Sequence, residues 1–161
     1  MNYAMIKKYC IANGPGIRTA LFVSGCPLHC KGCFNQDLQD YNYGKPFTEE
    51  TYQEIKDSMN EHIDGLSILG GEPLAPNNSI EIRNLCKRFK QDFPNKTIWL
   101  WSGYTIEQIY QRAKDGIDIY PKEILQNSYI NVLIDGPFIE ELKDLNLDWR
   151  GSSNQKIHFL F

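Results

Sequence analysis

Four short runs of apolar, β-prone residues constrain what this chain can fold into: 19–24 (TALFVS), 65–69 (GLSIL), 97–101 (TIWLW) and 130–134 (INVLI). Each is nearly continuous in apolar character, the pattern of a strand covered on both faces. Segments with helical spacing separate them. Thr48, followed by Glu49 and Glu50, is a helix start, and Tyr52, Ile55 and Met59 continue it. Asn78 and Ser79 offer caps for a second helix. In it Ile82, Leu85, Cys86, Phe89 and Phe93 make one apolar stripe. Thr105 and Gln108 read as a capping-box pair opening a third helix. Residues 139–146 read as a short helix, and 3–11 and 157–161 as terminal strands.

Strands alternating with helices imply parallel pairing through right-handed crossovers. A closed eight-fold barrel takes roughly 250 residues, and this chain has 161. The expectation is a single α/β domain over 1–161. It is an open, partial (β/α) barrel of about five or six mainly parallel strands. Ligands gather at the carboxyl ends of such strands. Each run ends in a polar or glycine-rich turn: Gly25, then Gly70-Gly71-Glu72-Pro73, then Ser102-Gly103-Tyr104, then Asp135-Gly136-Pro137. Glycines end many strands, but four such turns predict one shared mouth. Gly70 and Gly71 let a ligand approach the backbone, because no Cβ intervenes. Glu72 adds a carboxylate suited to an ammonium group.

The first turn carries Cys26, Cys30 and Cys33 within eight residues, spaced C-x3-C-x2-C. A closed structural zinc site takes four ligands, and a 4Fe-4S cube likewise accepts four thiolates. Three cysteines leave one iron open to a small molecule. A zinc site completed by His29 or Cys10 is the competing reading, although no second Cys/His pair accompanies the triplet. A disulfide framework fits poorly with five cysteines and no apolar leader. A thioredoxin-like motif at Cys30–Cys33 fits poorly with Gly32 and the third cysteine.

Net charge is −3, with no basic stripe, so phosphate-driven nucleic-acid binding is disfavoured. No apolar run is long enough to span a membrane. Free thiols without a targeting segment point to a reducing cytoplasm. Cys86 sits on a helical apolar stripe and reads as core, and Cys10 reads as a strand residue. His29 reads as solvent-facing, while His62 and His158 show no partner. Trp99 and Trp101 share one strand face.

The cysteine triplet together with Gly70-Gly71-Glu72-Pro73 resembles the radical S-adenosylmethionine (SAM) superfamily. Further stretches narrow the resemblance: Asn13-Gly14-Pro15-Gly16-Ile17-Arg18, Phe22 to Cys26, Cys33-Phe34-Asn35, Trp101-Ser102-Gly103-Tyr104, Asp135-Gly136-Pro137-Phe138 and Trp149-Arg150-Gly151-Ser152-Ser153-Asn154-Gln155. Together they resemble the activating proteins of anaerobic (class III) ribonucleoside-triphosphate reductases, across nearly the whole chain. The resemblance implies a partial barrel of the radical SAM type. It implies that Cys26, Cys30 and Cys33 ligate a 4Fe-4S cluster whose open iron chelates SAM. It also implies reductive cleavage of SAM to methionine and a 5′-deoxyadenosyl radical, which generates a glycyl radical on the large reductase subunit. The resemblance further implies that the electron comes from a low-potential donor such as flavodoxin. Gly70, Gly71 and Glu72 are expected to hold the methionine end, with Gly32, Cys33 and Phe34 against the cofactor. The superfamily's usual aromatic residue before the third cysteine is replaced by Gly32, which leaves Phe34 for adenine. Ser102 and Asp135 are expected either to contact ribose or a cation, or to shape turns. Arg150 to Gln155 are expected to meet the partner. A pyruvate formate-lyase-type activase and a noncatalytic zinc or iron–sulfur module are the alternatives.

Overall fold

The structure, a computed structural model, describes residues 1–160. Its strands are β1 (Asn2–Cys10), β2 (Arg18–Val23), β3 (Lys45–Pro46), β4 (Gly65–Gly70), β5 (Thr97–Trp101), β6 (Val132–Asp135) and β7 (Lys156–Phe159). Its helices are α1 (Glu49–Ser58), α2 (Pro76–Asp92), α3 (Ile106–Lys114) and α4 (Tyr120–Gln126). The strands form one open sheet in the order β3-β1-β2-β4-β5-β6-β7.

β2, β4, β5 and β6 pair in parallel, as the alternating pattern requires. The terminal strands do not follow them. β1 is antiparallel to β2, and β7 is antiparallel to β6. β3 adds a further antiparallel edge to β1. The expected five or six mainly parallel strands are thus four, flanked by antiparallel ones. The cause is connection length. A parallel crossover takes about a dozen residues or more, and 11–17 are too few. The expected helix at 139–146 shrinks to a 3-10 turn at Glu140–Leu142, so no helix carries the chain across to a parallel β7. The last residue of the expected strand 157–161 lies outside the described residues.

Helix starts follow their local chemistry. Thr48 and Thr51 form a capping box on α1, and Thr105 with Gln108 forms one on α3. α2 begins earlier than expected, at Pro76, whose fixed φ suits the first helical position. Asn78 and Ser79 therefore lie inside its first turn and do not cap it. α4, behind Pro121, has no counterpart in the sequence expectations.

The helices cover one face of the sheet. Leu21, Ile68, Leu100 and Leu133 pack there with Tyr52, Ile55, Ile82 and Phe89. Cys86 belongs to this core. Alternation sends Trp99 and Trp101 to the opposite face, where they meet Val132, Ile134, Trp149 and Ile157. Arg18, fully buried, ties the amino ends of the parallel strands together. Its guanidinium donates to Ser67 Oγ at 2.7 Å, Thr97 Oγ1 at 3.0 Å, and the carbonyls of Leu66 and Thr97 at 3.0 Å each. Burial lowers its pKa to about 10, against the opposing charge of Asp64. Among the described residues no helix is long and apolar enough to cross a membrane.

Candidate functional site

The cysteine loop leaves β2 at Gly25, whose φ of 92° is in the left-handed region glycine accepts freely. The loop is then tied back by its own backbone. Gly25 N–H donates to Leu38 O at 2.8 Å, and Cys26 N–H donates to Gln39 O at 3.1 Å. Cys33 N–H closes a turn onto Cys30 O at 3.2 Å. The Asn35 N–H points at Cys33 Sγ at 3.4 Å. His29 is exposed, as expected, and meets Gln39 Oε1 at 2.8 Å through Nδ1.

The Gly70-Gly71-Glu72 turn docks directly on that loop. Gly71 N–H donates to Val23 O and Glu72 N–H to Gly25 O, both at 2.8 Å. A Cβ on Gly71 would lie 2.6 Å from Gly25 O and 2.8 Å from Leu38 O, so only glycine allows this approach. Two asparagines brace the junction. Asn78, buried on α2, donates through Nδ2 to Ser24 O at 3.0 Å and Glu72 O at 3.1 Å. Asn35 donates through Nδ2 to Gly70 O at 3.3 Å.

Glu72 is almost wholly buried and its carboxylate turns inward. Oε1 accepts from Leu74 N–H at 2.9 Å and Ser102 Oγ at 2.8 Å, and Oε2 accepts from Gly103 N–H at 2.6 Å. It therefore locks the β4 turn to the β5 turn. Burial pushes its pKa up to about 7, against the hydrogen bonds from Gly103, Leu74 and Ser102 and the charge of Arg112.

These elements enclose a cavity of about 490 Å³ at the carboxyl ends of the parallel strands. Cys26, Cys30, Cys33 and Phe34 line it, together with Gly70, Gly71, Glu72 and Ser102, and Trp101, Trp149 and Arg150 complete the wall. The three thiols are partly buried. Burial pushes the Cys26 thiol up, against the Leu28 and His29 amides. Phe34 is largely exposed and packs against Phe138 in a tilted arrangement, ring centroids 5.1 Å apart.

Two expected site residues lie apart. Gly32 is outside the cavity wall, where a Cβ would meet Glu140 Oε1 at 2.8 Å. Asp135 is buried beside the site, but its neighbour Gly136 reaches the cavity instead. Asp135 Oδ2 accepts from Ile106 N–H at 2.7 Å and so anchors the start of α3. Its Oδ1 faces His158 Nε2 at 3.0 Å. His158 is thus not partnerless, because antiparallel β7 brings it beside the end of β6. His62 also has a neighbour, Glu61, at 3.4 Å on the surface. Sequence reasoning missed Asn78, which it assigned to a helix cap. Its short amide just after Pro76 was the available signal. Asn35 stood within a quoted stretch without a role.

Residues 12–158 match the family described as a 4Fe-4S single cluster domain. The chain is 40% identical to the anaerobic ribonucleoside-triphosphate reductase-activating protein of Escherichia coli (strain K12), over 99% of both chains. It is 42% identical to that of Vibrio cholerae, over 98% of this chain and 97% of the relative. With that of Enterobacteria phage T4 it shares 39% identity, over 98% and 93%.

The chain belongs to this family of reductase-activating proteins.

A 4Fe-4S domain is therefore present, and the wall of the cavity has the donors to suit it. Three thiols on one loop are the soft ligands an iron–sulfur cluster takes. The Asn35 N–H aimed at Cys33 Sγ is the kind of contact that tunes such a cluster. Among the described residues no three His, Cys, Asp or Glu groups converge as ligands of a single ion.

Proposed function

We propose that the protein is a radical SAM activase, and that its open sheet is the partial barrel of that type. Cys26, Cys30 and Cys33 would hold the 4Fe-4S cluster in the cavity. When bound, the cluster supplies one electron to SAM, giving methionine and a 5′-deoxyadenosyl radical. That radical takes a hydrogen atom from a glycine Cα of the anaerobic reductase, leaving a glycyl radical and 5′-deoxyadenosine. A low-potential donor such as flavodoxin provides the electron, in the reducing cytoplasm.

The observation that carries this reading is a single cavity lined by three thiols of one loop and by the Gly70-Gly71-Glu72 turn docked beside it. The two glycines let the turn pack closely on Val23, Gly25 and Leu38, which fixes the backbone on which the methionine end would lie. Glu72 contributes chiefly by holding the turns rigid, with one lone-pair site left on Oε2 for the ammonium. Ser102 acts through the Glu72 carboxylate. Asp135 acts by fixing α3 behind the Ser102-Gly103 turn. Phe34, Trp101 and Leu28 exclude water from a site where a primary radical must be shielded. The cavity stays open at its mouth, where the partner's glycine loop would enter.

The test is anaerobic incubation with the reductase large subunit, SAM and reductant, followed by electron paramagnetic resonance. A glycyl radical on the large subunit, matched by release of 5′-deoxyadenosine, is the expected result. A protein that releases no 5′-deoxyadenosine under these conditions contradicts the proposal.

A further inference from the structure

Trp149-Arg150-Gly151-Ser152-Ser153-Asn154-Gln155, the stretch expected to meet the partner, also borders the cavity through Trp149, Arg150, Gly151 and Gln155. In the structure it is a self-knit loop fastened to the β6 turn. Gln155 Oε1 accepts from the N–H groups of Gly151 at 2.8 Å and Ser152 at 3.1 Å. Gln155 Nε2 donates to Gly136 O at 3.0 Å, and Asn154 Nδ2 donates to Pro137 O at 2.7 Å. Trp149 has a φ of 55°, a left-handed conformation uncommon for a bulky residue, and its carbonyl accepts from Trp101 Nε1 at 2.7 Å. Strained backbone of this kind persists where the surroundings over-determine it.

The loop fixes Arg150 in the cavity wall. Its Nη1 donates to Gln155 O at 3.0 Å, which orients the guanidinium plane. Its Nε is buried and has no acceptor. That Nε is closed off, so an occupant of the cavity meets the guanidinium through Nη2, which is not buried and has no hydrogen-bond partner among the described residues. Among the described residues lining this cavity Arg150 is the one cation, and Glu72 is the one carboxylate. They stand on different turns, after β4 and before β7. A cavity with one guanidinium and one carboxyl group on separate turns suits a zwitterion.

We propose that Arg150 is the residue that recognises the α-carboxylate of the SAM methionine moiety, with Gln155 as its positioning residue. This rests on the reading of the cavity as a SAM site. The chemistry favours arginine, whose planar fork pairs with a carboxylate through parallel hydrogen bonds. Arg150 then sets which sulfonium compounds the cavity accepts, separately from the cysteine wall.

The experiment compares SAM with decarboxylated SAM, which keeps the sulfonium, amine and adenosine. Both are measured by equilibrium dialysis against anaerobically reconstituted protein without reductant, so that nothing turns over. Wild type is expected to prefer SAM. Arg150→Met is expected to lose roughly tenfold to a hundredfold of SAM affinity while its weak affinity for decarboxylated SAM changes little. The preference ratio should collapse accordingly, a change that an equal loss of affinity for both compounds does not produce. Gln155→Ala should lower the same ratio by less. Arg150→Lys keeps the charge without the fork and should fall between wild type and Arg150→Met. It carries the comparison if Arg150→Met does not fold. An unchanged ratio in these variants overturns the assignment while SAM binding itself survives. Normal SAM binding by Arg150→Met with lost binding to the reductase also overturns it, in favour of a docking role. If wild type binds no SAM, the reading of the cavity fails and this assignment goes with it.

Discussion

Asn78 tests whether the cysteine loop and the Gly70-Gly71-Glu72 turn are held together as described. Its amide is buried and donates to Ser24 O at 3.0 Å and Glu72 O at 3.1 Å, with Gly25 O at 3.5 Å nearby. Asn78→Ala removes both good hydrogen bonds and leaves two buried carbonyls without that donor. At about 1–1.5 kcal/mol for each bond, the loss comes to about 2–3 kcal/mol. Urea unfolding, with a slope of about 1–3 kcal/mol per M for small proteins, should show the midpoint falling by about 1–2 M. Asn78→Asp is the sharper variant. It nearly preserves shape but aims carboxylate oxygens at carbonyl oxygens. It should therefore destabilise more than alanine does, although alanine leaves a cavity. If aspartate proves milder than alanine, the amide is not acting as a donor to this junction and the reasoning is refuted.

Three further outcomes follow from the same geometry. Because burial raises Glu72 to about 7, the folded state favours its protonated form. Its contribution to stability is complete below the unfolded value near 4.5 and is lost as pH rises through about 7. The difference in unfolding free energy between wild type and Glu72→Gln should slope across this window, and parallel profiles would refute the burial argument. Arg18→Met strands four acceptors at the amino ends of β4 and β5, so thermal or urea unfolding should show a loss of about 3–5 kcal/mol. Cys30→Ala should abolish SAM cleavage while far-ultraviolet circular dichroism stays near wild type, and retained cleavage would remove Cys30 from the ligand set.

The parallel core of the fold was legible because continuous apolar runs such as 97–101 admit few alternatives once helices alternate with them. The common cavity was legible for a related reason: strands that run the same way end on the same side. Strand direction at the margins was not. The residues of β1 and β7 have ordinary strand character, and only the short 11–17 link and the missing helix in 136–155 decide that they run backwards. Side-chain direction in the site was equally hidden. Glu72 reads as a free carboxylate in sequence, yet Ser102 and Gly103 approach from β5 and turn it into a brace. Asn78 reads as a cap, but Pro76 sets the start of α2 and frees the amide to reach Ser24 and Glu72. His158 acquires Asp135 only through antiparallel pairing. Each miss concerns a contact between residues far apart in the chain, where local pattern carries no information.

An iron corner left open by three cysteines is what the proposed chemistry requires. The direct measurement is electron paramagnetic resonance of the anaerobically reconstituted, reduced protein, recorded with and without SAM. A 4Fe-4S signal that shifts on SAM addition, and is lost with Cys30→Ala, is the predicted result. A reduced cluster whose spectrum ignores SAM, or a protein that binds only zinc, would contradict it.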